Sequence, residues 1–229
     1  MYKIYALIVK IVIKKYIPMS RIKLILPREE NLTQPGIEIP NTTRENVYFL
    51  AGPIQGGGNW QEQAIILLSA MDPNCIIICP RRYKKTDKLF SEYQHILDQS
   101  FPSPEAQRIE FKSHTEWGRY YLEKAAFLGS IIFFLPKEDV LYPRKDGSPY
   151  ARDTYGELGR WGVRSGQNKK EIMMTVGIAP EFPGREEIRK NLCEDHQANF
   201  KIHDHLNATI HNAVTEVYTK KNSTRSQVS

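Results

Sequence analysis

The sequence predicts a doubly wound α/β fold, in which a mostly parallel sheet carries helices on both faces. Short apolar runs typical of buried strands alternate along the chain with segments of helical periodicity. The 229 residues suffice for one substantial core, and a content of 41% hydrophobic and 25% charged residues is that of a globular protein. Alternating strands and helices give parallel βαβ units with right-handed crossovers, and therefore a sheet covered on both faces.

The first half of the chain supplies two strands and one helix. Residues 47–51 are apolar throughout, which indicates a buried strand that ends at Gly52 and Pro53. A helix follows from about Trp60, because apolar side chains recur there at helical spacing. Residues 75–79 form the second predicted strand, and the two cysteines at its ends fall on one buried face.

The polar segment 81–112 is predicted to be a long loop that contains one short helix at 89–97. Two helix–strand pairs follow: a helix at 115–128 with a strand at 130–135, and a helix at 154–164 with a strand at 171–176. The chain ends in a helix whose apolar stripe comprises Leu206, Ile210, Ala213, Val214 and Val217. The predicted architecture is a three-layer sandwich of the flavodoxin or Rossmann type.

Domain boundaries follow from these elements. Residues 1–45 are predicted to be an N-terminal extension with a leading strand, 46–220 a single α/β domain, and 221–229 a disordered tail. The apolar run in 2–16 is too short to span a bilayer, and no signal-peptide cleavage site follows it. We interpret 1–18 as an upstream extension, or alternatively as an added edge strand.

Charge and cysteine content limit the classes of partner and the cellular compartment that the sequence predicts. The net charge of +6 is spread along the chain without a nucleic-acid-binding motif, so we predict neither a nucleic-acid nor a membrane partner. Three cysteines, an odd number, indicate a reducing compartment, and we predict a cytoplasmic protein. The set Cys193, His196, His203 and His205 matches no zinc pattern, and His203 and His205 are predicted to be exposed helix-capping residues. No metal and no cofactor are predicted.

Ligands of doubly wound sheets bind beyond the carboxyl ends of the strands, which selects the loops 51–59, 80–86 and 136–156. The first holds a glycine cluster, 56–58, suited to a sugar hydroxyl or phosphate, although a plain turn is equally consistent with it. Arg81 and Arg82 follow a strand end, where their guanidinium groups could bind a 5′-phosphate. The alternative is surface charge at the start of a loop.

A pair of carboxylates in the third loop region is the strongest chemical signal. Asp153 is predicted to cap a helix, and Glu157, four residues on, to share its face. The helix dipole would hold such a carboxylate ionised, as a nucleophile requires, and proximity would raise the proton affinity of the pair. Gly156 would leave room for a planar ligand. The alternative is a solvated helix face.

Several motifs occur in a fixed order: Phe49-Leu-Ala-Gly-Pro53, Trp60-Gln61, Pro80-Arg-Arg82, Glu116-Trp117, and Asp153-Thr154 with Glu157-Leu-Gly-Arg160. Over roughly residues 47–180 this ordered set resembles the nucleoside 2-deoxyribosyltransferase-like family. The long 81–112 segment and the N-terminal extension depart from a compact member of that family.

The resemblance implies an enzyme that cleaves an N-glycosidic bond, with Glu157 attacking the anomeric carbon of the sugar. It implies that Asp153 protonates the base or holds the sugar. Glu116 matches a motif position, but we assign it no direct role. The pocket would be lined by Ala51, Gly52, Pro53 and Gln55, with Trp60 supporting it. It further implies a homo-oligomer, because relatives complete their pockets with a neighbouring subunit. Transfer of the sugar to a second base, hydrolysis of a nucleoside 5′-monophosphate, and silent nucleotide binding all remain open.

Overall fold

The computed structural model describes residues 22–27, 34–81, 108–141, 143–144, 146–197 and 200–226. Eight strands and five helices lie within these ranges. In chain order they are β1 (Lys23–Ile25), β2 (Gln34–Ile37), β3 (Val47–Ala51), α1 (Trp60–Met71), β4 (Ile76–Ile78), β5 (Arg108–Phe111), α2 (His114–Leu128), β6 (Gly129–Leu135), α3 (Arg152–Gln167), β7 (Met174–Ile178), α4 (Arg185–Asp195), β8 (Ile202–His203) and α5 (Leu206–Ser226).

Six strands form one parallel sheet in the order β1-β4-β3-β6-β7-β8. From β3 the chain passes through α1 to β4 on one side, whereas from β6 it proceeds through β7 to β8 on the other. The strand order therefore reverses between β3 and β6, which are hydrogen-bonded neighbours. The predicted doubly wound α/β class is confirmed, and β4-β3-β6-β7-β8 follows the flavodoxin-like order with β1 added at the edge.

Each face of the sheet has its own apolar core. Helices α2, α3 and α4 cover one face, where Trp117 and Tyr121 of α2 pack with Leu158 and Trp161 of α3. Helices α1 and α5 cover the other, and the predicted α5 stripe is buried there. Cys75 and Cys79 are buried and part of this second core, as their spacing predicted.

A small antiparallel ribbon was not predicted. Strands β2 and β5 pair with each other outside the main sheet, in segments interpreted as polar loops. The hydroxyl of Tyr121 joins this ribbon to α2, because it accepts a hydrogen bond from the Ile37 amide (2.7 Å) and donates one to the Ile37 carbonyl (3.0 Å). The ring of Tyr121 is buried, and its hydroxyl group thus anchors the β2–β5 ribbon to α2.

The C-terminal part differs from prediction in three ways. Helix α4 was missed because Ile188 and Leu192 are its only buried residues. His203, predicted to be exposed, is buried at 8% relative exposure because it belongs to β8. Helix α5 continues to Ser226, into the predicted disordered tail at 221–229, and the ammonium group of Lys220 contacts the Glu171 carbonyl at 2.6 Å.

A hydrogen-bonded group around one buried carboxylate, which we call the Asp72 cluster, lies at the amino edge of the sheet and comprises Asp72, Asn46, Tyr48 and the partly exposed Tyr218. One carboxylate oxygen of Asp72 accepts hydrogen bonds from the Asn46 amide (2.6 Å) and the Tyr48 hydroxyl (3.1 Å). The other accepts from the Tyr218 hydroxyl (3.1 Å). Asp72 itself is 3% exposed. The cluster therefore joins β3, the end of α1 and α5 through one buried charge.

The predicted extension at 1–18, the predicted helix at 89–97 and Arg82 lie outside the described residues. In the part of the chain that is described, no helix has the length and apolar character needed to cross a lipid bilayer.

Candidate functional site

A cleft of about 1420 Å³ opens where the strand order reverses between β3 and β6. Its walls are the loop after β3, the first turns of α2 and the first turns of α3. Both helices run into the next strand of the sheet, so each begins at the carboxyl edge. The position is the one at which doubly wound sheets bind ligands, because the helices on either side of the reversal cover opposite faces and leave a gap.

The loop after β3 forms a rigid wall of the cleft. The Pro53 carbonyl accepts hydrogen bonds from the indole of Trp60 (2.9 Å) and the side-chain amide of Gln61 (3.2 Å). Gly52 has φ of +155°, and a Cβ there would lie 2.3 Å from the Phe134 carbonyl oxygen, so only glycine fits. The loop is held from behind by α1 and cannot be displaced without breaking these contacts.

The predicted pocket residues of this region divide into two groups. Gly52, Pro53 and Gln55 line the cleft. Ala51 is the buried last residue of β3, and Trp60 is buried behind the loop, so neither lines the cleft. Trp60 therefore has the supporting position that was predicted for it.

Helix α3 begins differently from the prediction. Its N-cap residue is Ala151, in the left-handed region at φ 58°, and no side chain caps it. The prediction that Asp153 is the cap is wrong, because Asp153 is already the second residue of the helix. Its carboxylate instead lies 3.3 Å from the guanidinium groups of both Arg144 and Arg152.

Arg144 ties the loop after β6 to α3. Its guanidinium donates to both carboxylate oxygens of Asp146 (2.6 and 2.9 Å) and reaches Asp153. This hydrogen bond holds the pKa of the Asp146 carboxyl well below its usual range. Only 11% of the Arg144 side chain is exposed, although it lines the cleft. Arg144 was not predicted, because the shape of the loop determines its partners.

Glu157 lies in the cleft, as predicted, and shares the cleft-facing stripe of α3 with Asp153. Its side chain is accessible to solvent but is surrounded by the cleft walls. This desolvation, with a smaller effect of the Asp153 charge, raises the pKa of Glu157 to about 7. The direction of this shift is opposite to the effect expected from the helix dipole, and it agrees with the predicted mutual effect of the two carboxylates.

Glu157 also differs from the other carboxylates of the cleft in its contacts. Asp153 pairs with two arginines, and Glu123 binds Arg164 through both oxygens (2.5 and 3.0 Å). No hydrogen bond or ion pair joins Glu157 to any residue that the structure describes. A carboxyl group that lines a cleft, has no hydrogen-bond or ion-pair partner and has a pKa raised toward neutrality is typical of catalytic acids, bases and nucleophiles.

Arg81, one of the two predicted phosphate-binding arginines, does not line this cleft. Arg81 donates to the Gly58 carbonyl (2.8 Å) and forms an ion pair with Glu62 (2.9 Å), whose side chain is 1% exposed. Arg81 therefore neutralises a buried charge and fixes the glycine loop, and it is absent from the cleft lining. Arg82 lies outside the described residues.

Glycines open the helical walls of the cleft. A Cβ added at Gly156 of α3 or at Gly118 of α2 would meet no atom within 4 Å, and both positions line the cleft. The room predicted at Gly156 is therefore present. Gly118 was not predicted, although its place one turn after Thr115 on α2 puts it on the same wall.

Glu116, which matches the family motif, has a structural contact. The Ser113 hydroxyl caps α2 by accepting from the Glu116 amide (3.1 Å), and the Glu116 carboxylate accepts from the Lys112 amide (2.7 Å). Its carboxylate is thus engaged at the helix N-terminus, and Glu116 does not line the cleft.

No group of three or more histidine, cysteine, aspartate or glutamate side chains that could hold a metal ion occurs among the described residues. The search against protein-family models and the search of curated proteins both found no match to this chain. The interpretation of the cleft therefore depends on its geometry and on the motifs quoted above.

Proposed function

We propose that this protein cleaves the N-glycosidic bond of a nucleoside or nucleotide with Glu157 as nucleophile, and passes the sugar to another base. The observation that carries the proposal is the position of the Glu157 carboxyl group, which lines a cleft at the strand-order reversal and forms no hydrogen bond or ion pair with any described residue. Its raised pKa supports the same interpretation. The ordered motifs shared with the nucleoside 2-deoxyribosyltransferase-like family support it.

The proposed reaction has two displacements at the anomeric carbon. A carboxylate oxygen of Glu157 bonds to C1′ while the C1′–N bond breaks, and the bonding electrons leave with the base, which takes up a proton. The nitrogen of a second base then attacks C1′, releases the Glu157 carboxylate and loses its proton, so the configuration at C1′ is retained. Attack by water in the second step would give hydrolysis with the same residues.

Asp153 was assigned two possible roles, protonation of the base or contact with the sugar. Its ion pairs with Arg144 and Arg152 favour the second, because they hold the carboxylate in one orientation, as contact with a sugar hydroxyl requires. We infer that Asp153 accepts a hydrogen bond from a sugar hydroxyl and that the arginines fix its orientation.

The activity is tested by incubating the protein with one nucleoside or its 5′-monophosphate, with and without a second free base. We expect a new nucleoside that contains the second base, and a covalent sugar adduct on the peptide that carries Glu157, detected by mass spectrometry after acid quenching. Base release at a rate independent of the acceptor would make the protein a hydrolase. Ligand binding without any base release would contradict both enzymatic forms and leave a nucleotide-binding sensor.

The pH dependence of the reaction tests the role of Glu157. A nucleophile must be ionised, and a pKa of about 7 leaves this group largely protonated in acid. We therefore expect kcat/KM to rise about tenfold per pH unit up to pH 7 and to level off above it. A rate that falls as the pH rises through 7 would instead assign Glu157 as a proton donor.

The open space at Gly156 gives a second test of the cleft. Gly156→Leu and Gly159→Leu both replace glycine inside α3 at positions where a Cβ meets no atom within 4 Å, so each should stabilise the fold by up to about 1 kcal/mol. Only position 156 lines the cleft. We expect kcat/KM to fall at least about tenfold in Gly156→Leu and to be unchanged in Gly159→Leu. Equal activities of the two variants would place the substrate elsewhere.

A further inference from the structure

The cleft contains more positive than negative side chains. Its lining includes three carboxylates, Glu123, Asp153 and Glu157, and five arginines, which are Arg119, Arg144, Arg152, Arg160 and Arg164. Arg144 and Arg152 pair with Asp153, and Arg164 pairs with Glu123. Arg119 and Arg160 form no ion pair or hydrogen bond with any part of the chain that the structure describes.

These two arginines lie at the same level of the cleft. Helices α2 and α3 both run from the carboxyl edge of the sheet toward its amino edge, so they are roughly parallel. The Arg164–Glu123 ion pair bridges them. Arg119 precedes Glu123 by four residues and Arg160 precedes Arg164 by four, so each lies about 6 Å, one helical turn, before the bridge.

The same spacing places the arginines next to the proposed nucleophile. Arg160 follows Glu157 by three residues on the same stripe of α3, a rise of about 4.5 Å along the helix axis. Gly118, which precedes Arg119, contributes no side chain, and a Cβ there would meet no atom within 4 Å. Arg119 and Arg160 therefore line the part of the cleft between Glu157 and the Arg164–Glu123 bridge, and neither is paired with a described residue.

We propose that Arg119 and Arg160 form an anion subsite that binds the phosphate group of the substrate, so that the protein acts on nucleotides in preference to free nucleosides. Two cations that face one space repel each other, and a phosphate between them removes that repulsion while accepting several charge-assisted hydrogen bonds. This inference rests on the proposed function, because it places the sugar of the nucleotide beside Glu157. It also replaces Arg81 as the phosphate ligand expected from the sequence.

Binding measurements without turnover test the subsite directly. The full-length Glu157→Gln protein is titrated by calorimetry with common nucleosides, with their 5′-monophosphates and with inorganic phosphate. We expect the monophosphate to bind about 10- to 100-fold more tightly than the matching nucleoside. Adding Arg119→Gln or Arg160→Gln should reduce this ratio about tenfold each, whereas the exposed Arg108→Gln, outside the cleft, should leave it unchanged.

Three results would overturn the subsite: equal affinities of nucleoside and monophosphate, equal loss of both ligands in the arginine variants, or no binding of any phosphorylated ligand. The outcome is separable from that of the proposed function. If monophosphates bind through Arg119 and Arg160 but the wild-type protein releases no base, the subsite stands and the enzymatic proposal fails. If free nucleosides are cleaved and the phosphate group does not increase the affinity, the enzymatic proposal stands and the subsite fails.

Discussion

Replacement of Glu157 by alanine or glutamine is expected to lower the rate of base release at least about a thousandfold. Glutamine has nearly the same shape, but its amide cannot form the glycosyl ester or stabilise a positively charged sugar as a carboxylate does. The rate is measured by separating free base from nucleoside, and Glu187→Gln, an exposed acid on α4, is the matched control. A rate in Glu157→Gln within tenfold of wild type would remove Glu157 from the mechanism.

The same variant should keep its fold and gain stability at high pH. Because the pKa of Glu157 is raised from 4.5 to about 7, the folded state favours the protonated form. Stability is therefore lost as the pH rises from about 4.5 through 7, and Glu157→Gln removes this loss. We expect equal Tm values at pH 4 and a higher Tm of the variant at pH 8. Since the side chain is solvent-accessible, the gain is about 1 kcal/mol or less.

Replacement of Asp72 by alanine is expected to lower the free energy of unfolding by about 3 kcal/mol or more. The change removes an acceptor that is 3% exposed and leaves the donors of Asn46, Tyr48 and Tyr218 without it. The midpoint of urea unfolding gives the loss. Because the Asp72 cluster joins β3, α1 and α5, the whole transition should shift as one cooperative step.

Tyr218→Phe provides the matched control for Asp72→Ala. It removes one hydroxyl that donates to Asp72 and keeps the ring, so we expect a loss of about 1 kcal/mol. A loss in Asp72→Ala no greater than that in Tyr218→Phe would show that the carboxylate contributes little beyond one hydrogen bond. The cluster would then be replaceable by apolar side chains, as some buried charges are.

The layered fold could be predicted because its main strands are short apolar runs and its main helices have clear apolar stripes. Elements without such a signal were missed. Strand β2 contains Pro35 and Gly36, both unfavourable in strands, and β8 has two residues. Helix α4 buries only two side chains, so its apolar periodicity is weak. These elements form because tertiary contacts outweigh local preference.

The candidate site was predicted less completely than the fold. The placement of Glu157 followed from helical spacing and from the family resemblance, and Arg160 could have been found by extending the same stripe. Arg81 was predicted to bind a phosphate because it follows a strand end. Its actual partner, Glu62, lies 19 residues earlier in the chain, and the local sequence does not reveal such a pair. The raised pKa of Glu157 depends on the walls of the cleft, which no single segment forms. Homo-oligomerisation stays a prediction.

Strand β3 connects the Asp72 cluster with the cleft. The Asp72 cluster includes Asn46 and Tyr48 at its start, whereas the cleft is lined by Phe49 and by the loop beyond its last residue, and the strand spans roughly 16 Å at about 3.3 Å per residue. Changes at such distances usually have additive effects. New substrate preferences generally arise at a cost in folding free energy. In this chain, contacts of the Asp72 cluster at the start of β3 can offset that loss of folding free energy. The specificity of the cleft can therefore change while the fold is kept.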